Sequence, residues 1–220
     1  MPLSNAFGPD VYGSLTPELR TLAQRGVLRN FPKKTILINE GEEGDSLFVL
    51  LKGSVKVFAM DQEGREITYG KIQAGDYFGE MSLDGGPRSA SVSTLEPCTC
   101  AVLVRAQVSE HLALEPGFAI NLVVQVIRRA RAATEVARNL ALLDVYSRLV
   151  GALETTVDGL ADDETVYPLT LERVTHQDIA SRIGASREMV SRLLKDLEKG
   201  GYIEIGNRRI TLLARLPPRW

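Results

Sequence analysis

Between Phe31 and Val104 the chain alternates short apolar runs with glycines at 41, 44, 53, 64, 70, 75, 79, 85 and 86. The runs TILIN, SLFVLL, SVKVFAM, EITYGKI, SASVSTL and CTCAVLV are rich in β-branched residues and too short for helices. Many short strands at regular turn spacing predict an antiparallel barrel or jelly roll that closes its own edges. Ahead of this region, Thr16 as N-cap, Pro17 at the first helical position and the stretch ELRTLAQRG predict a short helix.

From about residue 117 to 143 the period changes from two to seven. Ile120, Val123, Ile127, Ala130, Thr134, Ala137 and Ala141 step by three and four, a heptad seam on one long helix. Such a stripe can pack on its own barrel or on a second copy. Its narrowness, and the charges of Arg128, Arg129, Arg131, Glu135 and Arg138 beside it, favour a homodimer, with the three alanines allowing close helix approach.

After about Asp144 the stretch THQDIASRIGASREMVSRLLKDLEKGG carries two helix signatures. Thr175 and Asp178 form a capping box for a helix of about eight residues, which Gly184 ends. Ser186 caps a second helix of about twelve residues, stopped at Gly200 and Gly201. IEI and ITL then flank Gly206-Asn207 as a β-hairpin would. Two helices joined by a three-residue turn and followed by a hairpin make a winged helix-turn-helix. The fold class expected is therefore α+β, divided into 1–116, 117–143 and 144–220.

On the second helix Val190, Leu193, Leu194 and Leu197 form an apolar stripe, with Glu188, Ser191, Arg192 and Lys195 opposite and Arg187 at the tip. In a helix-turn-helix that outer face enters the major groove. Arginine pairs with guanine O6 and N7, and glutamate accepts from cytosine N4, so Arg187, Glu188 and Arg192 suit a reader of G·C pairs. An exposed salt-bridge strip would show the same residues. Thr175, His176, Gln177 and Ser186 at the helix starts, with Arg208 and Arg209 at the wing, suit phosphates.

Charge supports the DNA reading. The net charge of −2 divides into 16 Lys and Arg against 22 Asp and Glu over residues 1–168, and 10 against 6 over 169–220. A basic end on an acidic body suits a polyanion such as double-stranded DNA, although a solvated basic surface has the same composition. No apolar run approaches the length of a membrane span, and MPLSNAFGPD lacks a secretory pattern, so a cytoplasmic protein is expected. Cys98 and Cys100, the two cysteines of the chain, cannot easily bridge from alternate strand positions and cannot assemble a four-cysteine metal centre.

The stretch FGEMSLDGGPRSASV places Glu80 and Arg88 on either side of a glycine-proline turn. The two can pair with each other or hold a guest. A buried ion pair faces a desolvation cost of several kcal/mol per ion, which an anionic guest would help to offset. Arg88 offers a planar fork for a phosphate, and Ser89 adds a hydroxyl and an N–H. Glu80 can accept from a sugar hydroxyl, while Gly79 and Gly86 permit close approach of the backbone. These residues point to a phosphorylated, ribose-like ligand.

GDYFGEMSL…PRSAS resembles the phosphate-binding cassette of the catabolite activator / fumarate-nitrate regulator (CRP/FNR) family of bacterial transcription factors. NLALLDVYSRL resembles the end of that family's dimer helix and hinge, and VTHQDIASRIGASREMVSRLLKDLEKGGYIEI its winged helix-turn-helix. The resemblance covers nearly the whole chain. It implies a homodimeric, cyclic-AMP-gated DNA-binding protein; no metal is expected, since the cysteine cluster of the family's iron-sulfur branch is missing. It also implies that Gly79, Glu80 and Met81 line the ribose, that Arg88 and Ser89 hold the cyclic phosphate, and that Arg187, Glu188 and Arg192 read a TGTGA-like half-site. Where cyclic-AMP-binding members carry two adjacent hydroxyls against the adenine, this chain has Ala133 and Thr134, which leaves cyclic GMP and cyclic di-GMP open beside cyclic AMP.

Other readings are weaker. An enzyme using Glu80 as a base lacks an accompanying histidine, metal cluster or activated nucleophile. A haem sensor would have to rely on His111 and His176, the two histidines of the chain. A constitutive DNA-binding dimer stays open. The acidic stretch DGLADDETVY, residues 158–167, is either a solvated linker or a contact for RNA polymerase.

Overall fold

The structure is a computed structural model of the chain and describes residues 11–157 and 167–217. The acidic stretch at 158–166 lies outside the described residues. Contacts gather the chain into two compact units, one reaching to Ala59 and including Tyr69–Ala132, the other comprising Met60–Thr68 and the chain from Ala133 onward.

The first unit opens with α1 (Pro17–Ala23), where the Thr16 hydroxyl accepts from the Leu19 N–H. Eight strands follow: β1 (Val27–Phe31), β2 (Ile36–Ile38), β3 (Ser46–Lys52), β4 (Ser54–Met60), β5 (Glu66–Gln73), β6 (Tyr77–Phe78), β7 (Ser91–Thr94) and β8 (Cys98–Val104). They form two separate four-stranded sheets, ordered β1-β8-β3-β6 and β2-β7-β4-β5, in which β1 with β8, β8 with β3, β3 with β6, β2 with β7 and β7 with β4 all run antiparallel. Of the barrel or jelly roll expected, the antiparallel sheets are present, but no single closed sheet is seen among the described residues; each sheet keeps its own edges, and two-residue β6 is one of them.

Strand periodicity builds two cores on the faces of one sheet. Leu47, Val49 and Leu51 of β3, with Ala101 and Leu103 of β8, point to one side and pack with Leu19, Leu22, Val108 and Phe118 of the helices. Phe48, Leu50, Cys98 and Cys100 point to the other side and meet Ile38, Val55, Ile72 and Val92 of the second sheet. This is the alternation a strand buried on both faces requires. Phe48 and Phe78 stack with ring centres 5.0 Å apart. Cys98 and Cys100 share a face, are buried and are not bridged.

Sequence reading missed several elements, among them two-residue β6 and the helix over Val145–Val157. β1 lies before the glycine-rich stretch, and its half-exposed pattern carries little signal. The helix α2 (Arg105–Leu114) has weak amphipathicity and buries Val108 and His111, whose ring stands edge-on to Phe118 at 5.1 Å. β9 (Leu169–Glu172) pairs with a strand some forty residues later, which no local pattern announces.

The helix α3 (Pro116–Leu142) is the long element expected near 117–143. Phe118 is its buried anchor, while Ile120, Val123 and Ile127 of the seam are 65%, 57% and 44% exposed on the single chain. Val124 and Val126 add to this exposed apolar surface.

The second unit contains α4 (Val145–Val157), α5 (His176–Ile183), α6 (Arg187–Lys199), β10 (Ile203–Gly206) and β11 (Arg209–Leu212). The expected caps are formed. The Thr175 hydroxyl accepts from the Asp178 N–H while the Asp178 carboxylate accepts from the Thr175 N–H, and Ser186 accepts from the Met189 N–H. Such caps stabilise a helix by about 1 kcal/mol each. Gly184 takes φ +61 to end α5, and a Cβ there would lie 3.0 Å from Leu140 Cδ2. Val190, Leu194 and Leu197 of α6 pack with Ile179 and Ile183 of α5, Leu149 and Leu153 of α4, and Ile203 and Ile210 of the hairpin. Leu193 is only half-buried. The hairpin turn falls one residue later than expected: Gly206 pairs with Arg209, and Arg208 takes the positive φ of +55. With β9 the wing is a three-stranded sheet, ordered β10-β11-β9.

Candidate ligand cassette and nucleic-acid interface

The segment from Gly79 to Ser89 leaves β6, makes a 3-10 turn over Glu80–Asp84 and returns to β7. Its last part is fixed through the backbone: Arg88 N–H donates to the Glu42 carbonyl at 2.9 Å, and Gly41 N–H to the Arg88 carbonyl at 2.8 Å. The Arg88 side chain turns inward and is 8% exposed. Its Nη1 donates to the Gly79 carbonyl and its Nη2 to the Ser46 carbonyl, both at 2.9 Å. Two glycines make room for the guanidinium. A Cβ on Gly44 would lie 2.7 Å from Arg88 Nε, and one on Gly79 2.8 Å from Nη1. Gly79 is doubly constrained, because its φ of +87 suits glycine. Burial pulls the Arg88 pKa down, while nearby Asp45 and Glu80 act in the opposite direction.

Glu80, 6% exposed, has a partner the sequence did not suggest. Its Oε2 lies 2.5 Å from Nη1 of Arg129 on α3. The same guanidinium donates to the Tyr77 carbonyl at 2.5 Å and lies 3.7 Å from Asp76. Gln125, one turn earlier, donates to Asp76 at 3.2 Å. The long helix is thereby tied to the start of the cassette. Nothing in the sequence separates Arg129 from Arg128 or Arg131, which is why it read as one charge among several. Ser89 donates to Met81 Sδ at 3.3 Å, and Met81 itself is 54% exposed. Gly79, Glu80, Met81, Arg88 and Ser89 are thus brought together. Ala133 and Thr134 are exposed on α3 and belong to the other compact unit.

In the second unit the DNA candidates fall on two adjoining concavities. Arg187, Glu188 and Arg192 line one together with Ser191 and Lys195. Thr175, His176, Gln177, Arg187, Arg208 and Arg209 line the other, between the start of α5 and the wing. Ser186 is occupied as the cap of α6, its hydroxyl oxygen accepting from the Met189 N–H at 3.1 Å. Ser191 and Lys195 complete the outer face of α6, one turn apart. His176 Nδ1 lies 2.8 Å from the Ser191 hydroxyl and links the two helices. Burial, then the charges of Arg187 and Lys195, hold the His176 pKa below the usual value, which favours the neutral ring.

A cyclic nucleotide-binding domain model matches residues 28–113, and a Crp-like helix-turn-helix domain model matches residues 147–216. The chain is 30% identical over 202 residues to the cAMP-activated global transcriptional regulator CRP of Pasteurella multocida, covering 90% of this chain and 96% of that protein. The chain belongs to the CRP/FNR family. A second relative, the cAMP-activated regulator Vfr of Pseudomonas aeruginosa, is 31% identical over 192 residues, 84% of this chain and 89% of its own. Among solved structures, the c-di-GMP responsive global regulator CLP of Xanthomonas campestris superposes with a TM-score of 0.78 at 25% identity, covering 90% of this chain and 98% of that one. As a CRP-family member the chain is a cyclic-nucleotide-binding, DNA-binding transcription regulator and not an enzyme. Among the described residues no helix is long and apolar enough to cross a membrane.

Proposed function

We propose that this regulator is a homodimer whose affinity for DNA is set by cyclic AMP bound in the Gly79–Ser89 cassette. The observation that carries this reading is the inward Arg88 guanidinium, pinned by two backbone carbonyls in a recess that Gly44 and Gly79 keep open. A fork held this way offers a planar, pre-oriented donor set to a cyclic phosphate, and pre-orientation lowers the entropy lost on binding. Ser89 adds a hydroxyl beside it, and Glu80 presents a carboxylate for the ribose hydroxyl. Thr134, on the seam of α3, is the hydroxyl offered to the base.

The exposed Ile120, Val123 and Ile127 face supports pairing through α3, since an apolar stripe of this length is stable in water once a second copy covers it. Paired helices place two copies of α6 for successive major grooves, roughly 34 Å apart. Arg187, Glu188 and Arg192 then read bases, while Thr175, His176, Gln177, Ser186, Arg208 and Arg209 hold phosphates. Ligand acts by binding one dimer state more tightly than the other, and RNA polymerase in the cytoplasm is the partner through which bound dimer alters transcription.

One feature favours a second ligand. Ala133 removes one of the two hydroxyls expected against adenine, and the neighbour CLP is described as responsive to c-di-GMP. Calorimetry of the purified protein against cyclic AMP, cyclic GMP and cyclic di-GMP separates these possibilities. Saturable heat with cyclic AMP, lost in Arg88→Leu, is the expected result; saturable heat with cyclic di-GMP alone transfers the role to that ligand.

A further inference from the structure

The hydrogen bond between His176 and Ser191 joins the first residue of α5 to the outer face of α6. Ser191 stands among Arg187, Glu188, Arg192 and Lys195, the side chains offered to base edges. A hydroxyl engaged on one side by imidazole has only its other side for DNA, and what it presents there depends on the proton at Nδ1. If Nδ1 is bare, the Ser191 O–H points at the ring and oxygen lone pairs face outward. If Nδ1 carries a proton, the ring donates to Ser191 Oγ and the hydroxyl hydrogen is turned outward. Neutral imidazole allows both arrangements, whereas imidazolium allows the second alone.

We propose that His176 is a proton-dependent positioning residue that sets whether Ser191 offers DNA a hydrogen-bond acceptor or a donor, so that base preference at the position facing Ser191 changes with pH. This rests on the reading of α6 as the groove-facing helix and adds a regulated specificity to it.

The surroundings give the sign. In the free protein burial, then Arg187 and Lys195 of α6, lower the His176 pKa, and the further cations Arg208 and Arg209 of the wing share its concavity. The carboxylate closest along its own helix, Asp178, is engaged by the Thr175 hydroxyl and N–H. Glu188 belongs to the neighbouring concavity on the Ser191 side. DNA reverses the balance, because phosphates entering this cluster oppose the four cations and favour a protonated ring. Binding therefore takes up a proton, and falling pH converts Ser191 to a donor. A donor favours thymine O4 or guanine O6, and an acceptor favours the amino groups of adenine or cytosine.

The test is selection from a duplex pool with a randomised core by the full-length protein with cyclic AMP, at pH 6.0 and pH 8.2 and constant ionic strength. One position in each half-site should gain thymine or guanine over adenine or cytosine by about three- to tenfold at the lower pH, the range a single hydrogen bond supplies. His176→Asn should abolish the pH response while retaining a fixed preference there. Ser191→Ala should lose the preference itself. In both variants the positions read by Arg187 and Arg192 should persist, which shows that the unit still folds. The proposal is overturned if the wild-type preference is the same at both pH values, or if His176→Asn keeps the shift. It is equally overturned if acid tightens binding to all sequences alike and Ser191→Ala matches wild type, the signature of a phosphate contact alone. Absence of any enriched sequence at either pH removes the groove-reading role of α6, and this proposal with it.

Discussion

The Glu80 carboxylate lies 2.5 Å from the Arg129 guanidinium, so the ligand cassette and the long helix share one ion pair. Glu80 is almost fully buried while its partner is 28% exposed, placing the pair between the surface and buried regimes. Removing one member strands a buried carboxylate, which costs more than the loss of an exposed pair. Arg129→Ala is expected to destabilise the protein by about 2 kcal/mol, and Arg131→Ala by less than about 0.5 kcal/mol. Urea unfolding of Glu80→Ala, Arg129→Ala and the double variant checks the coupling. Additive losses would show that the contact contributes nothing to the folded state.

Gly44, in the β2–β3 connection, lies against the Arg88 guanidinium proposed to hold the phosphate. Gly44→Ala would bring a methyl to 2.7 Å from Arg88 Nε, and a flexible side chain, not backbone, must give way. The fold should therefore survive while cyclic nucleotide affinity falls at least about tenfold, the loss of one charge-assisted hydrogen bond. Gly70→Ala is the control, with nothing near its Cβ. Calorimetry on both variants decides the matter; equal affinities would mean that the Arg88 position is not critical to binding.

The seam on α3 makes the dimer testable without ligand. Val123 and Ile127 are about half exposed on one chain and apolar, so covering them contributes about 1 kcal/mol per side chain. Ile127→Glu changes two copies at once and should raise the dimer dissociation constant about a hundredfold or more. Sedimentation velocity over a concentration series reads this directly, and an unchanged dimer would move the interface elsewhere.

The two concavities around α5, α6 and the wing predict different kinds of loss. Arg208→Ala should lower the slope of log affinity against log salt by about 0.9 and leave sequence preference intact. Arg192→Ala should cost about 1–3 kcal/mol on the preferred site and relax one base position. Anisotropy titrations over salt with preferred and scrambled duplexes distinguish them; a uniform loss for Arg192→Ala would assign it to the backbone.

How much of this was legible in the sequence follows from how local each signal is. The α5–α6 pair is read from Thr175, Asp178, Gly184 and Ser186 because caps and αL turns are decided within four residues, and all four act as expected. β3 and β8 were visible because they are apolar on both faces. β9 was not, since its partner strand is distant in the chain, and barrel closure could not be judged because strand spacing does not say how sheets divide. In the cassette, Arg88 and Glu80 stood out as charges in an apolar region. Their partners did not: Ser46 contributes a carbonyl, which every residue has, and Arg129 sits among other arginines on a helix. His176 and Ser191 are fifteen residues apart, and their contact depends on the crossing of two helices.

The most direct test of the central claim is a titration of the full-length protein into a fluorescent duplex carrying two TGTGA-like half-sites, with and without saturating cyclic AMP at fixed salt. The account predicts about 5- to 150-fold tighter binding with ligand, the usual range of coupling between two sites, and no such gain in Arg88→Leu. The same affinity with and without cyclic AMP, cyclic GMP and cyclic di-GMP would contradict it and leave a DNA-binding dimer whose cassette does not gate.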